Sequence, residues 1–81
     1  MIVEVFKTNV KDPDDARMLL DQIHALSENY AANFDLEDCD KILRVASYDG
    51  SVQTSLLKEL LNKHGFHAEV LPDEIQEVFH F

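Results

Sequence analysis

Apolar and polar positions alternate at the start of the chain. In Ile2-Val3-Glu4-Val5-Phe6-Lys7-Thr8, Val3 and Val5 stand against Glu4 and Phe6 in a run rich in β-branched and aromatic residues, which predicts a strand. The alternation stops near Asn9-Val10-Lys11, and Asp12-Pro13-Asp14-Asp15 follows. That tetrad supplies an acid for a helix N-cap, a proline for the first helical position and two carboxylates where the helix dipole favours negative charge. A helix is expected from there, with Ala16, Leu19, Leu20, Ile23 and Leu26 at three- and four-residue steps, leaving at Ser27-Glu28-Asn29. From Tyr30 the period returns to two: Ala32, Phe34 and Leu36 alternate with Ala31, Asn33, Asp35 and Glu37. Asp38-Cys39-Asp40 is the predicted turn and residues 41–46 the return strand, so residues 31–46 form a hairpin. Tyr48-Asp49-Gly50-Ser51 breaks the pattern and offers caps for a second helix. Val52, Leu56, Leu57, Leu60 and Leu61 share one face of it, and Lys63, His64 and Gly65 mark its end. Phe66, Ala68 and Val70 then alternate with His67, Glu69 and Leu71 in a fourth strand, closed by Pro72.

The order βαββαβ predicts an α+β, ferredoxin-like sandwich: a four-stranded antiparallel sheet with two helices on one face. Residues 1–72 form the expected domain and 73–81 a short C-terminal tail. The sheet face without helices is expected to present Ile2, Phe6, Ile42 and Leu71 among Glu4, Asp35, Arg44, His67 and Glu69. In the tail, Ile75, Val78 and Phe79, with Phe81 beyond, are spaced for one amphipathic turn that docks on the domain or on a partner, in a monomer or a homodimer.

Eighty-one residues with 46% hydrophobic content make one small globular domain. Such a chain buries only about 60–65% of the surface it exposes unfolded, which leaves no room for a large enclosed cavity beside the core; no enzymatic activity and no cofactor are expected. A net charge of −9 repels nucleic acid and anionic membranes. Cys39 is the sole cysteine and has no internal disulfide partner, no secretory leader pattern opens the chain, and no apolar run approaches the ~20 residues of a membrane span. A cytoplasmic location is the expectation.

In a βαββαβ sheet the loop after the first strand, the hairpin between the second and third strands and the exit of the second helix share one end. This gathers Asp12, Asp14 and Asp15 with Glu37, Asp38, Cys39 and Asp40, and with Lys63 and His64. Two uses are open. Glu37, Asp38 and Asp40 suit a basic protein partner, while Asp12, Asp15, Cys39 and His64 offer carboxylate, thiol and imidazole ligands for a divalent metal ion. No standard ligand spacing is present, and helix-start chemistry alone accounts for Asp12, Asp14 and Asp15.

Phe34-Asp35-Leu36-Glu37 and the stretch from Leu57 through Gly65-Phe66-His67-Ala68-Glu69-Val70 resemble the second-strand V-x-V-D-L-E pattern and the G-[YF]-x-A-x-V ending of heavy-metal-associated (HMA) domains, over about residues 2–71. The family comprises soluble copper chaperones and N-terminal modules of metal-transporting ATPases. The resemblance implies a metallochaperone-like fold. It does not extend to the family's M-x-C-x-x-C motif: with Val10 at the methionine, Asp12 and Asp15 stand where the two cysteines would be. Carboxylates are hard ligands and poor partners for Cu(I), so a domain without the dithiol is expected to act through protein contacts instead, with Ile2, Phe6 and Phe79 as candidate apolar contacts. Phe66 corresponds to the aromatic beneath the family's metal loop and is expected to pack under Val10.

Overall fold

The computed structural model describes residues 2–71; the tail expected over 73–81, Phe79 included, lies outside the described residues. Six elements follow in the expected order: β1 (Ile2–Thr8), α1 (Pro13–Leu26), β2 (Tyr30–Asp35), β3 (Ile42–Ser47), α2 (Thr54–Lys63) and β4 (Ala68–Val70). The sheet order is β2-β3-β1-β4 with every neighbouring pair antiparallel, which is the ferredoxin-like arrangement.

Local chemistry explains where the helices begin. Asp12 is the N-cap of α1, its Oδ1 accepting the Asp14 N–H at 2.8 Å, and Pro13 follows at the first helical position. The second helix starts differently from the expectation. Asp49 does not cap it; its carboxylate instead closes the turn after β3, accepting from the Ser47 hydroxyl, from the Asn29 amide at 3.3 Å and from the Ser51 N–H at 3.4 Å. Helix α2 therefore opens two residues later than Val52, with Gln53 at the N-cap. The Gln53 N–H donates to the Tyr30 hydroxyl at 2.9 Å. At the other end of α2, Gly65 takes φ +90°, a left-handed conformation open to glycine at little cost, and its N–H returns to the Asn62 carbonyl.

The core lies between the sheet and the helices. Phe6, Leu43 and Val45 from the sheet meet Leu19 and Ile23 of α1 and Leu57 and Leu61 of α2, all fully buried. Val10 is buried in the same cluster, and the half-buried Phe66 packs against that cluster.

The register corrects the phase expected for β1. Phe6 stands opposite Leu43 and Val70, on the helix side, and is fully buried, so it is no part of an outward surface. Val3 and Val5 take the open side with Lys7, Arg44 and Glu69. Alternation around Glu4 suggested the reverse. The largest apolar side chain of the strand determines the phase, and Glu4 tolerates the helix side because burial rises only towards the Thr8 end of the strand. Ile2 is exposed as expected, yet it stands on the helix side opposite Ser47, at the far end of the sheet. Ile42 does face the open side, in register with Lys7 and Asp35, but it is buried there, and Leu71 is half-buried.

Candidate functional site

The loop end of the sheet is organised by Thr8, the last residue of β1. Its N–H donates to the Asp40 carbonyl at 3.1 Å; its hydroxyl donates to the Lys41 carbonyl at 2.6 Å and accepts the Val10 N–H at 3.2 Å. Two loops distant in sequence are thereby clamped to one strand end. The third joins through Asn9, whose Oδ1 accepts the His67 N–H at 2.8 Å. The segments after β1, between β2 and β3, and after α2 thus meet, as the topology implies.

The β2–β3 connection is internally braced. Asp38 Oδ1 accepts the Asp40 N–H at 2.9 Å, the turn geometry that aspartate favours, and the Asp38 carbonyl accepts the Lys41 N–H at 3.0 Å. Lys41 sits at φ +49°, a left-handed conformation uncommon outside glycine, asparagine and aspartate, and its Nζ reaches back to the Leu36 carbonyl at 2.9 Å. Lys7 Nζ lies 3.9 Å from Asp40 Oδ1, both side chains about half exposed, so this pair contributes little.

Of the residues singled out for metal binding, Cys39 is exposed at the hairpin tip. Its Sγ and one oxygen each from Asp38 and Asp40 lie within 4.8 Å of one another, the one such group of three among the described residues. Asp12, Asp15 and His64 share this end but do not enter a common group with Cys39. Asp12 is occupied as a helix cap, Asp15 lies in the first turn of α1, and His64 closes α2. Glu37, Asp38 and Asp40 project from one short loop, and the Lys7–Asp40 contact is the one ion pair among the described residues. Lys11 and Lys63 lie exposed at this end too, but with Asp12, Asp14 and Asp15 beside the hairpin the end stays net acidic. The residues that hold the end together, Thr8, Asn9 and Lys41, carry no motif. Their partners lie as far as 58 positions away, and no local signal marks them.

An open groove runs along α2, lined by Leu26, Leu56, Glu59, Leu60 and Lys63. No helix among the described residues is long and apolar enough to cross a membrane. No family model matches the chain, and no curated protein or solved structure matches it either.

Proposed function

We propose that this chain is a non-enzymatic, cytoplasmic domain resembling HMA domains without their dithiol, which acts by binding a basic protein segment at its loop end. The observation that carries this is the hairpin itself: Glu37, Asp38 and Asp40 stand on a loop held by the Thr8 clamp and the Asp38–Asp40 turn. A carboxylate cluster on a rigid mount loses little entropy on binding, and the net charge of −9 speeds encounter with a cationic partner while disfavouring nucleic acid. The absence of both motif thiols, with Asp12 and Asp15 in their places, removes the soft-metal chemistry of the family it resembles.

A second reading has its own support. Asp38, Cys39 and Asp40 bring three ligand atoms within 4.8 Å, a partial site for a divalent ion. Three donors from one loop, with no fourth from the described residues, would hold such an ion weakly. Titration of the full chain with a lysine- and arginine-rich peptide, followed by two-dimensional NMR, separates the two. Saturable shifts at residues 12–15 and 37–41 that weaken with salt support the partner reading. Shifts at residues 38–40 with zinc alone, and none with the peptide, would replace it by the metal reading.

A further inference from the structure

The two edges of the sheet differ. β4 spans 3 residues and β2 spans 6, and among the described residues no strand pairs with the outer side of β2. Edge strands are ordinarily kept from further pairing by lysine, proline or a bulge. β2 has none of these: its register with β3 runs unbroken, and its one charged residue, Asp35, is the last of the strand.

Hydrogen bonding shows which backbone groups face out. The Tyr48 N–H donates to the Asn29 carbonyl at 3.0 Å, in the same register that sets Tyr30 opposite Ser47. Ladder bonds of an antiparallel pair recur at every second residue, so Ala31, Asn33 and Asp35 turn their backbone groups to β3, and Ala32 and Phe34 turn theirs outward. The Tyr30 N–H is already taken by the Ser27 carbonyl at 3.2 Å.

The side chains of β2 fit a second β2 running antiparallel about a two-fold axis at Asn33. Directly opposed residues of such a pair share one face of the sheet. On the helix side Ala32 then stands opposite the partner's Phe34, small against large, and both are half-buried in the single chain, beside the buried Val45 and Leu43 of β3. Ala32 and Phe34 also exchange N–H and carbonyl groups across the axis. On the open side the exposed Asn33 meets the partner's Asn33, and Ala31 meets the partner's Asp35, so no like charges are opposed. Arg44 lies beside Asn33 in β3, so each copy brings one arginine and one aspartate to this face, a neutral patch on a chain of net charge −9. Centring the pair on Ala32 instead would crowd Tyr30 against the partner's Phe34 and call on the Tyr30 N–H, which is already engaged.

We propose that two copies of this chain associate edge to edge through β2, antiparallel about Asn33, into one continuous sheet. The acidic hairpins then lie at opposite ends of the paired strands, and the dimer does not depend on what they bind. Sedimentation of the full chain over a wide concentration range, beside Asn33→Asp and Asn33→Lys, tests this. Asn33 is exposed, so neither substitution touches the core. The expected result is a mass that doubles with concentration in the parent, a monomer's mass in each variant at the same concentrations, and a doubled mass again when the variants are mixed, because aspartate then faces lysine across the axis. Added salt should strengthen the parent dimer by screening the −9 on each copy, the reverse of its effect on a basic peptide. A parent chain that stays monomeric throughout would overturn the proposal. A dimer that persists in both variants would place the contact elsewhere and overturn it too, as would variants that fail to pair on mixing.

Discussion

The phenolic hydroxyl of Tyr30, the first residue of β2, accepts the backbone N–H of Gln53 at 2.9 Å and so caps a helix 23 positions later in the chain. The ring is buried among core residues while its oxygen satisfies the N-cap residue's own N–H, the group that a glutamate or glutamine three residues on serves in a capping box. One residue thus joins sheet, core and helix start. Tyr30→Phe retains the ring and orphans the N–H, and is expected to cost about 1–2 kcal/mol, read as a lower urea midpoint with an unchanged m-value. An unaltered midpoint would mean that water replaces the hydroxyl without loss.

The Thr8 clamp is the corresponding device at the acidic end. Thr8→Val keeps the shape but removes a donor to the Lys41 carbonyl and an acceptor for the Val10 N–H. A loss of about 2 kcal/mol is expected, with faster amide exchange at Val10 and at the residues after Asp38. Uniform acceleration across the sheet would show instead that the clamp supports the whole fold and does not specifically mount the hairpin.

The corrected phase of β1 has a direct energetic consequence. Phe6→Ala empties a fully buried position and is expected to cost about 3–5 kcal/mol, a large share of the stability of a domain this small, whereas Val5→Thr at a half-buried position on the open side is expected to cost less than that. The opposite ranking, measured by thermal or urea unfolding, would restore the phase that Glu4 suggests.

The ladder of elements is written plainly in the chain because each boundary has local chemistry: Asp12-Pro13 opens α1, Gly65 closes α2, and the period of two is unbroken from Tyr30 to Asp35. What could not be read locally depends on distant partners. The face of β1 follows from Phe6 meeting Leu43 and Val70, and the start of α2 from Tyr30, so neither is decided within its own window. The candidate site divides in the same way. The hairpin acids are visible as a run, but Thr8 and Asn9 acquire roles only once the loops converge.

Asp49 gives the fold a sensitivity to acid. The Ser47 hydroxyl, foremost, and then the Ser51 N–H and Asn29 amide hold its carboxyl below the ordinary value of 3.8, against a smaller opposing effect of burial. Because the folded pKa is the lower one, the stability it contributes is present above the unfolded carboxylate pKa and is lost as pH falls through the folded value. The difference in stability between the parent chain and Asp49→Asn should therefore be present at neutral pH and diminish as the pH is lowered past the ordinary carboxylate value. A difference that persists unchanged into strong acid would assign the effect to the turn geometry and not to the charge.

Metal-free binding of a basic segment by the acidic hairpin is checked by titrating the labelled full chain with a lysine- and arginine-rich peptide twice, once with a chelator and once with zinc, alongside a variant carrying Glu37→Gln, Asp38→Asn and Asp40→Asn. The expected result is the same affinity with chelator and with zinc, shifts centred on residues 37–41, and a loss of about tenfold or more in the variant, equal to about 1.4 kcal/mol. Binding that requires zinc, or that survives intact in the variant, would contradict it.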